Sequence, residues 1–276
     1  DAEELALIES LDNGKPISQA RADMVAAARY FEFYGSAADK VHGKVVPFMS
    51  GFDVKVVREP HGVTGHIIPW NYPAQMFGRT LAPALAMGNA TVIKPAEEAC
   101  LTTLRMAALA EEAGFPAGAI NLVTGYGHVA GAALSQHRGI DFISFTGGLA
   151  TGRTILGAAA ANVTKVAVEL GGKNPHIVFA DAVADPTDFE NSVDHVLTGV
   201  FLHSGQVCSA GTRLIVEESI ADRFVDAIAE RARGTRMGSG LDEKSETGPL
   251  VSHAQRTKIE GFVALGIEEG AELVIG

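Results

Sequence analysis

Five short apolar runs constrain the fold more than any other feature of this chain. They are Val63-Thr-Gly-His-Ile-Ile68, Ala90-Thr-Val-Ile93, Ile120-Asn-Leu-Val123, Asp141-Phe-Ile-Ser-Phe145 and Val163 to Leu170. Each has strand length and is rich in β-branched or aromatic residues. Helical patterns fall over about 74–87, from Pro95 to about 113, and over about 150–161. Pro95 at a first helical position, with Glu97 and Glu98 in the first turn, starts the second of these; Gly114 and Pro116 end it. Buried strands separated by helices need crossover connections, which predicts a parallel sheet covered on both faces, an α/β fold.

Ahead of this block, residues 1–12 and 18–40 read as helices, the second with Met24, Ala27, Ala28, Phe31 and Tyr34 on its apolar side. Asp53-Val-Lys-Val-Val-Arg58 alternates as a half-exposed strand does. From Lys173 a second group follows: strand 176–179, helix 186–203, strand 213–217, helices 219–233 and 252–268, and strand 272–275. A length of 276 residues accommodates two domains. The chain begins at Asp1 and stops beside an apparent strand at Gly276, so both ends read as cut from something longer.

Net charge is −11 with no cluster of Lys and Arg, which argues against nucleic acid or an anionic membrane as partner. The longest uncharged run, Ala113 to His137, carries five glycines and Pro116, a composition that disfavours a membrane span. Two cysteines make no disulfide framework, so a reducing, cytoplasmic setting is expected. The nine histidines show no metal-ligand spacing, and no metal is expected.

Five segments bear on candidate chemistry. In Phe201-Leu-His-Ser-Gly-Gln-Val-Cys-Ser-Ala-Gly-Thr-Arg213, glycines on either side of Cys208 let the backbone approach closely and turn N–H groups toward whatever the thiol attacks; a small buried hydrophobe is the competing reading. Phe145-Thr-Gly-Gly-Leu-Ala-Thr-Gly152 turns from strand to helix, where free N–H groups and the helix dipole suit a phosphate. Gly125-Tyr-Gly127, with Gly131 after it, departs from the dinucleotide spacing by one residue and reads mainly as a loop. Glu169, before Gly171 and Gly172, ends a buried-type strand with a carboxylate that must be paired or serve as a base. Pro69-Trp-Asn-Tyr-Pro73 sets Asn71 in a rigid turn, as a fixed donor or a turn amide satisfying its own backbone.

Taken in order, Pro69-Trp-Asn-Tyr-Pro73, Lys94-Pro-Ala-Glu97, Phe145-Thr-Gly147, Glu169-Leu-Gly-Gly-Lys173 and Gly205-Gln-Val-Cys208 closely resemble the NAD(P)-dependent aldehyde dehydrogenase superfamily along essentially the whole chain. The resemblance implies a Rossmann-type cofactor domain over 1–41 and 61–172, an oligomerisation segment over 42–60, and an incomplete catalytic domain over 173–276. It implies Cys208 as nucleophile, Asn71 and the Cys208 N–H as oxyanion donors, and Glu169 as the base that activates water. Lys94 and Glu97 would meet the adenosine ribose, favouring NAD over NADP, because a carboxylate repels a 2′-phosphate. Trp70 and the loop with Thr146, Gly147, Gly148 and Thr151 would lie at the pyrophosphate, with Leu170 also in the cofactor site. Gly148 stands where many members carry Ser, which implies a looser phosphate contact. Tyr72, Arg79, Leu202 and Val207 match tunnel positions, and Arg79 points to an anionic or polar aldehyde. A homodimer or homotetramer is implied. Cys100 reads as a core residue on a helix face, and Lys173 as structural. An acylating relative would lack the match to Glu169, and a non-catalytic relative can lose the nucleophile or base; all three catalytic matches are present here.

Overall fold

The apolar runs pair as the sequence predicts. The computed structural model describes residues 1–276 and contains strands β1 (Lys44–Val46), β2 (Val54–Val56), β3 (Val63–Ile67), β4 (Ala90–Lys94), β5 (Ile120–Leu122), β6 (Phe142–Gly147), β7 (Lys165–Leu170), β8 (Pro175–Val178) and β9 (Arg213–Val216). Helices are α1 (Ala2–Asn13), α2 (Ile17–Ala37), α3 (Pro73–Ala86), α4 (Leu101–Glu112), α5 (Ala132–Gln136), α6 (Leu149–Ala160), α7 (Pro186–Phe201), α8 (Ala221–Arg233) and α9 (His253–Glu268). Two compact units result: Asp1–Ala6 with Arg21–Glu169, and Leu7–Ala20 with Leu170–Gly276.

In the first unit a five-stranded sheet runs β5-β4-β3-β6-β7. β3 is parallel to both β4 and β6, and β4 is parallel to β5. Counted from β3 the order is 3-2-1-4-5, so chain direction across the sheet reverses between β3 and β6, the kind of crevice where open α/β sheets take ligands. Register aligns the ends of β3 and β4, Ile67 opposite Lys94; on the other side Ile67 stands opposite Phe145, and β6 runs on to Gly147. Ile68, Met76, Phe77, Leu81 and Ile93 form the buried cluster, with Phe31, Leu85, Met106 and Ile120 packed against it, so α2, α3 and α4 cover one face. At Gly65 a Cβ would stand 3.4 Å from Leu134 and Ile140, so the chain packs closely there. β1 and β2 form a separate antiparallel ribbon, Lys44 opposite Val56, with Val45, Phe48, Met49, Phe52 and Val57 exposed.

The second unit pairs β8 parallel to β9, Pro175 opposite Arg213. Val178, Val183, Phe189, Val193, Val196 and Phe224 make its core. Asp185 caps α7 by accepting the Thr187 N–H at 2.7 Å, with Pro186 in the first turn. The turn after α1 carries an ion pair with no exposure on either side chain, Lys15 Nζ to Glu9 Oε1 at 2.6 Å.

Four expectations need correction. The helix predicted from Pro95 begins at Leu101, because Glu97 turns back to Lys94 and the Gly127 N–H and draws residues 95–100 into turns. Cys100 is therefore a half-buried N-cap and not a core residue. The loop read at Gly125–Gly131 contains a π-helical turn, Gly127–Gly131, that continues into α5. Residues 272–275 pair with no strand.

His66 on β3 is only 2% exposed. Thr64 Oγ1 donates to the Ala90 carbonyl at 3.2 Å and so accepts from His66 Nε2–H at 2.8 Å. Burial pushes the imidazole pKa down from 6.5 to about 4, so the ring is neutral in the fold. Between those values the unfolded chain binds the extra proton, and stability falls as pH falls from 6.5 toward 4. Denaturant titrations across that window should show wild type losing up to about 3 kcal/mol more than His66→Gln. Parallel pH slopes would remove His66 as the source.

Candidate active site

The aligned strand ends gather most of the first unit's candidate residues at one edge of the sheet. Trp70 and Asn71 lie in the bend after β3, and Tyr72 caps α3, whose first residue is Pro73. Both Trp70 and Asn71 are half-buried. Lys94 ends β4 and is buried; its Nζ donates to Glu97 Oε2 at 2.7 Å. The Gly127 N–H donates to the other oxygen at 3.1 Å. Partial burial alone would raise the Glu97 carboxyl, but the bonds from Lys94 and Gly127 outweigh it and hold the group below its ordinary value. The result is an ionised carboxylate, 36% exposed, with a fixed orientation and lone pairs to spare for hydroxyl donors.

β6 runs through Thr146 to Gly147, and Gly148 is the N-cap of α6. Gly148 offers no capping side chain; its carbonyl takes the Gly152 N–H at 2.9 Å. The N–H groups of Leu149, Ala150 and Thr151 are thus the first-turn donors at an exposed helix end. Nothing lies within 4 Å of a Cβ built at Gly148, so the glycine is not forced there by crowding. An acidic side chain fixed after the second strand and an open helix N-terminus after the fourth fit a dinucleotide's ribose and phosphates.

Glu169, near the end of β7, is not buried: it is 64% exposed and ion-paired with Arg79 Nη2 on α3 at 3.7 Å. Both side chains, with Thr64, His66, Ser144 and Thr146, line a cavity of about 620 Å³. Leu170 ends the strand, half-buried.

The second unit holds Cys208 on the turn between α7 and β9. Its thiol is exposed, against the half-buried Cys100. Asn174 Nδ2 donates to the Cys208 carbonyl at 3.2 Å, and the Gly211 N–H donates to Gly199 O at 3.1 Å. A Cβ at Gly211 would stand 3.1 Å from His176, so the chain passes β8 closely there. None of the backbone bonds that close this turn uses the Cys208 N–H. An exposed thiol beside an uncommitted N–H, on a turn tied to its neighbours, is the arrangement a nucleophile that generates an oxyanion needs. Lys173 Nζ reaches only the Gly172 carbonyl, at 3.3 Å.

Sequence reasoning missed the Gly127 N–H on Glu97, the Arg79–Glu169 pair and the Asn174 anchor. All three join residues 30 or more positions apart. Gly125, at φ 143°, was the local signal for the first.

The whole chain, residues 1–276, matches the family model described as the aldehyde dehydrogenase family. The chain belongs to the aldehyde dehydrogenase family. It is 48% identical over 277 aligned residues to betaine aldehyde dehydrogenase of Bacillus subtilis, covering 100% of this chain and 56% of that protein. It is 46% identical over 274 residues to retinal dehydrogenase 2 of Homo sapiens, covering 99% and 52%. A crystal structure of betaine aldehyde dehydrogenase from Staphylococcus aureus in complex with NAD+ superposes with a TM-score of 0.96 at 44% identity, over 100% of this chain and 54% of that one. This aldehyde dehydrogenase chain thus spans about half the length of the curated relatives it matches.

Exposure separates the two thiols of this family member before any catalysis is measured. Iodoacetamide under native conditions should label Cys208 well ahead of Cys100, as peptide mass spectrometry would follow. Equal rates would mean that the Cys208 turn is less open than described.

Proposed function

We propose that the protein carrying this chain oxidises an aldehyde to its carboxylic acid with NAD as hydride acceptor. The observation that carries the reading is the exposed Cys208 thiol on a tied turn whose own N–H is uncommitted. The Cys208 thiolate attacks the aldehyde carbon, forming a carbon–sulfur bond and an oxyanion. The Cys208 N–H and the Asn71 amide are assigned as donors to that oxyanion. NAD supplies the hydride acceptor that turns the adduct into an acyl thioester. Glu169, as general base, takes a proton from water; the water attacks the thioester carbonyl and releases the acid and the thiolate.

For the cofactor, Lys94 and Glu97 are assigned to the adenosine ribose, and Trp70, Thr146, Gly147, Gly148, Thr151 and Leu170 to the remainder of the dinucleotide. The fixed, ionised Glu97 supports NAD over NADP, and the relative from Staphylococcus aureus was crystallised with NAD+. Residues 1–41 and 61–172 form the cofactor domain in this reading and 173–276 belong to the catalytic domain. The exposed apolar ribbon within 42–60 supports an oligomerisation role, with a second copy of the chain as partner in a homodimer or homotetramer. The exposed Arg79 guanidinium supports a polar or anionic aldehyde. Two free thiols suit a cytoplasmic, reducing setting.

In the full-length protein, Cys208→Ala should abolish NADH formation while Cys100→Ala keeps most of it. Glu169→Gln should give up to one NADH per site and then stall with an acyl group on Cys208, visible by intact-protein mass. Normal steady turnover by that variant would remove Glu169 from the mechanism.

Replacing the Glu97 carboxylate with the smaller, neutral serine should narrow or reverse the NAD over NADP preference in kcat/KM. A wild type already indifferent to the 2′-phosphate would overturn the role given to Glu97.

A further inference from the structure

The segment leading into Cys208 is held in a conformation its residues disfavour. His203 and Ser204 have φ of 49° and 57°, and Gly205 follows at 75°. Left-handed backbone suits the glycine but is strained at the other two, and such strain persists only where the surroundings impose it. Here the chain leaves α7 and turns toward Cys208.

A loop of the same unit, Ser245–Val251, imposes it. Ser204 Oγ lies 2.7 Å from the Gly248 carbonyl and 2.8 Å from Thr247 Oγ1. The hydroxyl has one proton and the carbonyl can only accept, so Ser204 donates to Gly248 and accepts from Thr247. Two residues on, Gln206 Oε1 accepts the Val251 N–H at 3.1 Å, and Gln206 Nε2 donates to the His203 carbonyl at 3.3 Å. The loop has little room to yield. A Cβ at Gly248 would fall 1.9 Å from the Gly14 carbonyl oxygen, and one at Gly240 would fall 2.4 Å from that of Lys15. The Ile17 N–H donates to Gly240 O at 2.7 Å, and the Gly238 N–H to Thr247 O at 3.1 Å. Behind them lies the buried Lys15–Glu9 pair.

We propose that Ser204, clamped by Thr247 and Gly248, is a positioning residue for Cys208: it fixes the left-handed turn that aims the thiol and the Cys208 N–H. The inference rests on Cys208 being the nucleophile. Ser204 contacts no reacting atom in that scheme. The far side of the turn is held independently, by Asn174 on the Cys208 carbonyl and by Gly211 on Gly199. Loss of the clamp therefore frees one flank of the nucleophile and leaves the β8–β9 pairing in place.

The test uses full-length protein with Ser204→Ala, Thr247→Ala, the double variant and Ser204→Asn, since asparagine tolerates left-handed backbone and offers an amide donor. Active sites are counted by the NADH burst, and turnover is expressed per counted site. Ser204→Ala should lower that kcat by about tenfold or more, a scale typical of a misplaced reacting group. It should slow alkylation of Cys208 by iodoacetamide and leave KM for NAD unchanged. Thr247→Ala should act in the same direction, the double variant should be no worse than Ser204→Ala, and Ser204→Asn should recover much of the rate. If kcat per counted site and alkylation stay at wild-type values while only the melting temperature or the count falls, the clamp is purely structural and the proposal fails. Additive losses in the double variant would equally sink it. Should Ser204→Ala not fold, Thr247→Ala breaks the same hydrogen bond from the other side and decides by the same criteria. A Cys208→Ala protein that keeps activity would instead overturn the nucleophile reading itself.

Discussion

The parallel pairing of β3 with β4 and β6 is the constraint on which the first unit depends. Because Ile67 sits opposite both Lys94 and Phe145, β3 and β4 end level while β6 runs on to Gly147, and all three release their loops at one edge. A slip of one residue along β4 would turn each of its side chains, Lys94 among them, to the opposite face of the sheet. Positions far apart in sequence thus share one rim through backbone hydrogen bonds, before any side chain contributes. The reversal of strand order between the parallel β3 and β6 then leaves the bend at Trp70-Asn71 and the N-terminus of α6 as the loops bordering the crevice.

Most of this was legible in the residues. Apolar runs bounded by Gly and Pro identified the five strands, since strand length and β-branched content are local properties. Motif order identified the family, and the fold followed. What stayed hidden depended on partners distant in the chain. Pro95 and the acidic pair after it satisfy every local rule for a helix start, yet the Glu97 carboxylate gains more from Lys94 and Gly127 than from a helix dipole, and α4 starts at Leu101. The run 272–275 has a strand's composition without a strand beside it, and backbone groups without a partner strand make no sheet. The exposure of Glu169 was hidden in the same way, because only the fold brings Arg79 beside it.

The two candidate regions are built by different means. In the first unit, regular structure does the placing, and the side chains sit on ladder ends. In the second, Cys208 sits on an irregular turn whose geometry comes from side-chain and carbonyl contacts: Asn174 on one flank, Ser204 and Gln206 on the other. Irregular turns of this kind are costly to form unaided, and three left-handed residues in succession require external ties. The glycines around Cys208 are permissive; the ties select one conformation from what they permit.

The Lys15–Glu9 pair has a further consequence for how the molecule responds to ionic strength. Exposed pairs such as Arg21–Glu3 lie in water, where counter-ions at physiological concentration screen charges beyond about 8 Å and weaken even close contacts. Mobile ions do not reach a pair with no accessible surface. Salt therefore loosens the periphery while the turn behind Gly248 keeps its electrostatics. The support behind the Cys208 turn is thereby insulated from the ionic composition of the solvent.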